Sequence, residues 1–361
     1  MSFREFMARA LYDLDYGYYG SGRARIGRSG DFLTNVSVGP LFGRLLARQF
    51  AEIWQRLGEP SDFTIVEQGA NSGDFAADVL GGLRDLAPAC FASATIWLVE
   101  PVEKLRLAQE ERLHEFAREK VRWAGTPSDL PPFQGAHFSN ELLDAFPVHR
   151  VCWRGDRWIE RCVDFREDRF VFVDAEITSP ELHAHLARLP AVPLDYETEV
   201  NLAIAPWLAE TSAKLRSGFI LAIDYGYPRA EYYRPERSSG TLSAYAAHQR
   251  ESDPLQRPGE IDLTAHVDFT TVAETAAEQG LQLAGFTDQH HFMVGLSRLH
   301  FTDDYAPTAA GQRELRAFKT LMHPTLMGQS FHAICLAKGV ENAGLTGFHF
   351  GGDPARKLAA S

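Results

Sequence analysis

Carboxylates recur at the ends of short apolar runs in this chain, at Glu67, Glu100 and Glu141, and in an open sheet such ends meet along one edge. Around the first, Phe63-Thr-Ile-Val-Glu67-Gln-Gly69-Ala-Asn71-Ser-Gly73 reads as a strand and a glycine turn, with a helical pattern starting at Phe75. Glycines at such a join let the backbone take positive φ and approach a ligand, and the N–H groups at the helix start favour an anionic or strongly polar group. An ordinary strand–helix turn without a ligand is the alternative. The spacing differs from the dinucleotide fingerprint Gly-x-Gly-x-x-Gly, which disfavours a nicotinamide dehydrogenase. Glu100 closes Ala94-Thr-Ile-Trp-Leu-Val, where a strand-tip carboxylate can accept hydrogen bonds from ribose hydroxyls or simply face solvent. The third segment, Asn140-Glu141-Leu-Leu-Asp144, follows a strand ending near Ser139; its polar residues either serve chemistry or cap a helix 141–146 that Pro147 ends.

The elements that must position these groups follow a strand–helix rhythm. The pattern predicts strand 63–67, helix 75–86, strand 94–99, helix 102–118, an extended segment near Val121 and strand 135–139, the signature of a parallel sheet. Before it come an amphipathic helix over 2–12, a loop dense in Gly and aromatic residues to Asn35, and a long helix from Pro40 to Leu57. A meander of short strands over 148–175 interrupts the rhythm, followed by a helical stretch over 180–216. The sheet returns at Gly218-Phe-Ile-Leu-Ala-Ile-Asp224-Tyr225-Gly226. A polar, aromatic segment, a helix over 268–279, an extended run over 281–286, helical residues to about Leu321 and a last strand over 330–337 complete the order. The reading divides the chain into 1–60, 61–147, 148–216, 217–339 with a lid-like 228–267, and a loosely held tail 340–361.

At 361 residues with 45% hydrophobic and 23% charged, the composition is that of a globular chain with a sizeable core. The net charge of −12 argues against nucleic acid as a partner and favours a cationic one. The four cysteines show no metal-ligand spacing, and His290-His291 stands without a constellation, so no metal is expected. The sequence has no apolar run of membrane-spanning length and no leader pattern. No membrane insertion and a cytoplasmic location are therefore expected.

Several motifs together carry a resemblance. They are Gly17-Tyr18-Tyr19, Ile26-Gly27-Arg28-Ser29-Gly30-Asp31-Phe32, Phe42-Gly43, Val99-Glu100-Pro101, Asn140 to Val148, Asp224-Tyr225-Gly226, Gly240-Thr241-Leu242 and Pro258-Gly259-Glu260-Ile261-Asp262-Leu263-Thr264-Ala265-His266-Val267-Asp268-Phe269. In this order they resemble the MidA-like family of class I S-adenosylmethionine-dependent methyltransferases. The glycine turn is close to that class's Glu-x-Gly-x-Gly-x-Gly, with Asn71 in the middle position, and Asn tolerates left-handed φ better than most residues.

The resemblance implies an α/β fold: a Rossmann-like seven-stranded class I sheet with an N-terminal helical segment and inserted β-meander, helical and lid segments. The cofactor would be S-adenosyl-L-methionine. The implied activity is methylation of an arginine side chain in a partner protein, a respiratory complex I subunit for the family's mitochondrial member. Gly30, Asp31, Thr34, Glu67, Gly69, Asn71, Gly73 and Glu100 are the expected cofactor-binding residues; Asp31 and Thr34 suit the cofactor's ammonium end, unless Thr34 or Asn35 caps the next helix. Glu141, supported by Asp144 and Asn140, is expected to orient the guanidinium, with Tyr225 stacking beside it and Asp224 holding the lid. His266 and Asp268 have docking or proton relay as their alternatives to a structural role. Two further readings stay open: a non-catalytic assembly protein that keeps the fold, and a methyltransferase with another acceptor. A homodimer is possible.

Overall fold

The computed structural model describes residues 1–22, 35–116, 118–246, 249–301, 308–323, 328 and 330–359. Apolar residues at helical spacing form α1 (Phe3–Tyr12), which buries Phe3, Phe6, Met7, Ala10 and Leu11 and is capped by Ser2. α2 (Leu41–Arg56) leads into β1 (Phe63–Gln68), α3 (Asp74–Leu86), α4 (Pro88–Ser93), β2 (Ala94–Val99), α5 (Glu103–Arg112), β3 (Val121–Ala124) and β4 (Phe133–Asn140). The meander is β5 (His149–Trp153), β6 (Trp158–Arg166) and β7 (Arg169–Ala175), followed by α6 (Pro180–Leu186), β8 (Glu197–Val200) and α7 (Ile204–Lys214). The chain re-enters the main sheet with β9 (Leu215–Tyr227). It continues through α8 (Arg229–Tyr232), β10 (Ser243–Ala246), β11 (Gln249–Glu251), β12 (Asp262–Thr264), β13 (Val267–Asp268), α9 (Phe269–Glu278), β14 (Gln282–Asp288), α10 (Gln289–His300), α11 (Ala309–Met322), β15 (Phe331–Lys338) and α12 (Pro354–Leu358).

The main sheet runs β14-β15-β9-β4-β1-β2-β3, with β13 added beside β9. Pairing from β9 to β3 is parallel, while β15 is antiparallel to both of its neighbours. This is the seven-stranded class I arrangement. From β1 the chain builds outward through β2 and β3, then returns to place β4 on β1's other side. The switch point therefore lies between the ends of β1 and β4, where open α/β sheets leave a crevice.

Helices cover both faces. One core joins α2, α3 and α10 to the sheet; there Phe75 stacks on Phe138 with centroids 4.5 Å apart and holds the start of α3 against β4. Burying an aromatic ring of this kind stabilises by roughly 1.5–3 kcal/mol. The other core joins α7 and α9 to the opposite face. A third core packs α1 against the meander and a small sheet of order β11-β10-β12.

Four expected segments differ. The helix expected over 102–118 ends at Arg112, and turns follow it. Residues 141–146 form turns, not a helix, because the N–H groups of Leu142 and Leu143 go to the Asp224 carboxylate instead of into a helical ladder. The helical stretch expected over 180–216 is split: after Pro190 and Pro193, β8 pairs with β5 and makes the meander a four-stranded sheet of order β7-β6-β5-β8. The tail is not loose. Gly347 N donates to Gln49 Oε1 at 3.0 Å, Thr346 N donates to Glu52, and Phe348 packs on Phe292.

Candidate active site

The turn after β1 takes left-handed backbone at Gly69 (φ 83°), Asn71 (φ 45°) and Gly73 (φ 83°). Asn71 is thus accommodated in the conformation that a glycine would supply, and its carbonyl is held by Gln109 Nε2 at 2.7 Å. The fully buried Gln109 also donates to Glu100 Oε2 at 3.1 Å and accepts from Trp123 Nε1. The second Glu100 oxygen accepts Val102 N at 2.8 Å. The glycine turn and the β2 tip are therefore coupled through one amide side chain.

Both open onto a cavity of about 820 Å³ at the carboxyl edge of the sheet. Its lining brings together Glu67, Gly69, Asn71, Glu100, Asn140, Glu141, Asp144 and Tyr225, residues expected from the sequence, whereas Gly73 opens α3 behind it. Gly30, Asp31 and Thr34 lie outside the described residues. Seven carboxylates line the cavity, those of Glu67, Asp74, Glu100, Glu141, Asp144, Glu210 and Asp262, and no lysine or arginine does among the described lining residues. A cation placed among these carboxyl groups favours their ionised forms, including those that burial otherwise holds protonated.

Glu141 sits at φ 54° just beyond β4, its N–H donating to Ile223 O at 2.9 Å. Its Oε1 accepts Asn140 Nδ2 at 2.7 Å and Asn35 N at 3.3 Å. Asn35 Nδ2 donates in turn to Asn140 Oδ1, and Gln289 Nε2 donates to Asn35 Oδ1. Asn35 therefore braces this turn through its side chain rather than capping a helix. Burial pushes the Glu141 carboxyl up to about 8, against the Asn140 hydrogen bond and with help from Asp224. Burial and the charges of Asp224 and Glu141 hold Asp144 well above the carboxylate range. Glu67, 5% exposed and with no partner for Oε2 among the described residues, is pushed up to about 8 by burial and then by Asp74 and Asp78.

Among the described residues, Asp224 bonds to the turn beyond β4 and not to the expected lid-like segment. Its Oδ2 accepts Leu142 N at 3.0 Å and Leu143 N at 2.7 Å, and its Oδ1 accepts Tyr225 N, so it fixes the turn that carries Glu141. The Tyr225 ring lies against Phe331 and stacks on His266 with centroids 6.2 Å apart. A Cβ at Gly226 would collide with the Val267 carbonyl, which accounts for the glycine after Asp224-Tyr225. His266 lines the cavity, whereas Asp268 caps α9 and pairs with Arg229 at 3.1 Å, a structural role. His291 contacts Asp288, the cap of its own helix.

Sequence reasoning missed Tyr12, Tyr19, Tyr245 and Asp262 as cavity residues. Tyr19 lies in the Gly-Tyr-Tyr motif and Asp262 in the long Pro258–Phe269 run, so the signal was position in a motif without a chemical reading.

The fit to S-adenosylmethionine rests on the chain's own geometry: a turn with three left-handed residues at the switch point, a buried strand-tip carboxylate, and a cavity large enough for a nucleoside. Comparisons agree. Residues 45–287 match the family model described as "Putative S-adenosyl-L-methionine-dependent methyltransferase". A Burkholderia thailandensis protein, crystallised with S-adenosyl-homocysteine, superposes with a TM-score of 0.87 at 30% identity, over 99% of this chain and 92% of that one. The chain is also 27% identical to the mitochondrial protein arginine methyltransferase NDUFAF7 of Homo sapiens, over 92% of this chain and 79% of that protein. Its identity to the Drosophila melanogaster homologue is again 27%, over 93% and 81%. The names of the Homo sapiens and Drosophila melanogaster relatives are mitochondrial, which overturns the cytoplasmic location expected from the sequence. No helix among the described residues is long and apolar enough to cross a membrane. The chain belongs to this family and is an S-adenosylmethionine-dependent methyltransferase.

Proposed function

We propose that the protein methylates an arginine side chain of a partner protein, a respiratory complex I subunit being the partner implied by the family resemblance. The observation that carries this reading is the cavity lining, with seven carboxylates and no lysine or arginine among its described residues. A guanidinium is a planar cation whose donors match carboxylates bidentately. An anionic acceptor would be repelled. The relatives named protein arginine methyltransferases support the same acceptor.

The backbone of Gly69 and Asn71, with Gly73 shaping the turn, would cradle the cofactor's amino-acid end together with Glu67; Gly30, Asp31 and Thr34 are proposed as further cofactor-binding residues, Asp31 and Thr34 for its ammonium end. Glu100 would take the ribose hydroxyls. When bound, S-adenosylmethionine supplies an electrophilic methyl group. Glu141, in its carboxylate form, would orient the guanidinium and take the proton its nitrogen loses when the methyl group passes from the sulfonium sulfur, which keeps the electron pair of the broken bond. Asn140 fixes the Glu141 rotamer, Asp144 supports the cation, and Tyr225 offers its ring face to it. Acceleration then comes from positioning and electrostatics.

The test is calorimetric titration with S-adenosylmethionine and S-adenosylhomocysteine, followed by transfer from methyl-labelled cofactor to a complex I preparation. Saturable binding and label recovered as methylarginine are expected; label in another residue type overturns the arginine reading. Homodimerisation is a separate proposal that sedimentation velocity tests, with a monomer throughout the concentration series ending it.

A further inference from the structure

The run Pro258–Phe269 is the longest motif in the chain, and none of its residues is among those assigned to the cofactor. The small sheet supplies a chemical task for it. Ser243 and Tyr245 alternate on β10, Asp262 and Thr264 alternate on β12, and all four line the cavity. One face of the sheet is therefore a polar wall. The other face carries Ala244 and Leu263, buried with α1 in the third core, which immobilises it.

Asp262 is 1% exposed, lies beside Tyr245 in strand register, and accepts the Tyr19 hydroxyl on Oδ1 at 2.8 Å. Tyr19 stacks on Tyr12 with centroids 5.8 Å apart, and the Tyr12 hydroxyl donates to Ala145 O at 2.8 Å. Ala145 belongs to the turn that carries Glu141 and Asp144. The two tyrosines thus tie the wall to that turn. The charge of Asp262 reaches both Glu141 and Asp144, so the three carboxylates share one region of the cavity.

We propose that Asp262 is a second acceptor-binding carboxylate, set against Glu141, and that the polar face of the small sheet receives the arginine side chain. This rests on the arginine reading above. One bidentate carboxylate engages two of a guanidinium's five N–H donors, which leaves donors for a second wall. With two walls, the plane of the guanidinium is fixed rather than free to swing about a single carboxylate.

The test uses the full chain saturated with S-adenosylhomocysteine and titrated with Nα-acetyl-arginine methylamide, with the neutral citrulline analogue as control. Wild type is expected to bind the arginine probe and not the citrulline one. Asp262→Asn is expected to weaken the arginine probe by at least about tenfold with S-adenosylhomocysteine affinity unchanged, and Asp262→Glu to recover most of the loss. If Asp262→Asn does not fold, Asp262→Ala removes the same carboxylate without introducing an amide and is expected to weaken the probe at least as much. Unchanged probe affinity in whichever variant folds removes Asp262 from the acceptor site and leaves the arginine reading standing. Failure of wild type to prefer arginine over citrulline overturns both.

Discussion

Leu143 N donates to the Asp224 carboxylate at 2.7 Å across 81 residues of sequence. With the companion bond from Leu142 N, it ties the end of β4 to the end of β9 and holds the intervening Glu141 in left-handed backbone. A non-glycine residue at positive φ costs about 1 kcal/mol or more and persists only where its surroundings impose it.

Asp224→Asn should therefore act through Glu141. The amide offers one acceptor atom where the carboxylate offers two, leaving backbone N–H groups in a buried turn poorly paired. Stability is expected to fall by roughly 2–4 kcal/mol and kcat by about tenfold or more, with cofactor affinity held. Thermal unfolding and a kcat against Kd comparison read the two effects, and an unchanged kcat would show that Glu141 keeps its place without Asp224.

Glu141→Gln should abolish turnover while binding cofactor normally, and wild-type activity in that variant removes Glu141 from the chemistry. In the wild type the reactive form is the carboxylate, and its proton is lost near pH 8. The rate should rise with pH from 6.5 to 9 as an order-of-magnitude effect. Asn140 and Asn35 donate to Glu141, while Asp144, Asp224 and Asp262 press on it from neighbouring elements, so the apparent value belongs to the cluster. A rate flat across this range excludes Glu141 as the titrating group.

Glu100→Ala removes the strand-tip carboxylate and should weaken S-adenosylhomocysteine by about tenfold or more in calorimetry. Asn71→Gly keeps the left-handed turn and should stay within about threefold of wild type, whereas Asn71→Val should lose affinity and about 1–2 kcal/mol of stability. Equal affinities for Gly and Val at this position would mean that the turn's backbone does not meet the cofactor.

Glu67 makes a prediction about stability. Its folded carboxyl titrates near 8 against 4.5 in the unfolded chain, so stability is fully present below about 4.5 and drains away as pH rises through 8. Glu67→Gln has no such titration. Its stability relative to wild type should grow between pH 5 and 9, by roughly 3–5 kcal/mol at full burial, as denaturant midpoints at each pH would record. A difference independent of pH would mean that Glu67 ionises freely in the folded protein.

The strands were legible where β-branched apolar runs end at glycine or proline: Phe63–Gln68 and Ala94–Val99 fall within a residue of the expected bounds. Glu67, Glu100 and Glu141 were legible as one edge for the same reason, since a parallel sheet delivers its strand ends together. Residues 141–146 misled because local pattern cannot register that a carboxylate about eighty residues away will take their N–H groups. Tyr12, Tyr19 and Asp262 were hidden likewise: the Tyr19–Asp262 bond spans 243 residues and depends on how α1 packs under the small sheet. Asn71 lay between these cases, its tolerance for positive φ being a local property and its grip by Gln109 a distant one.

The position of β15 bears on how the protein is made. It inserts between β9 and β14, pairing with both, yet it is the last strand in the chain. While the ribosome works through the 103 residues that separate Tyr227 from Phe331, the edge of β9 carrying Phe219 to Ile223 has no permanent strand beside it. A nascent chain in that state presents an apolar, unpaired strand edge, the kind of surface that chaperones hold and that aggregates recruit. A product truncated before Phe331 would keep that edge open for its whole lifetime. Pairing of the last strand, rather than of the cavity residues that precede it, is therefore what covers the open edge of β9.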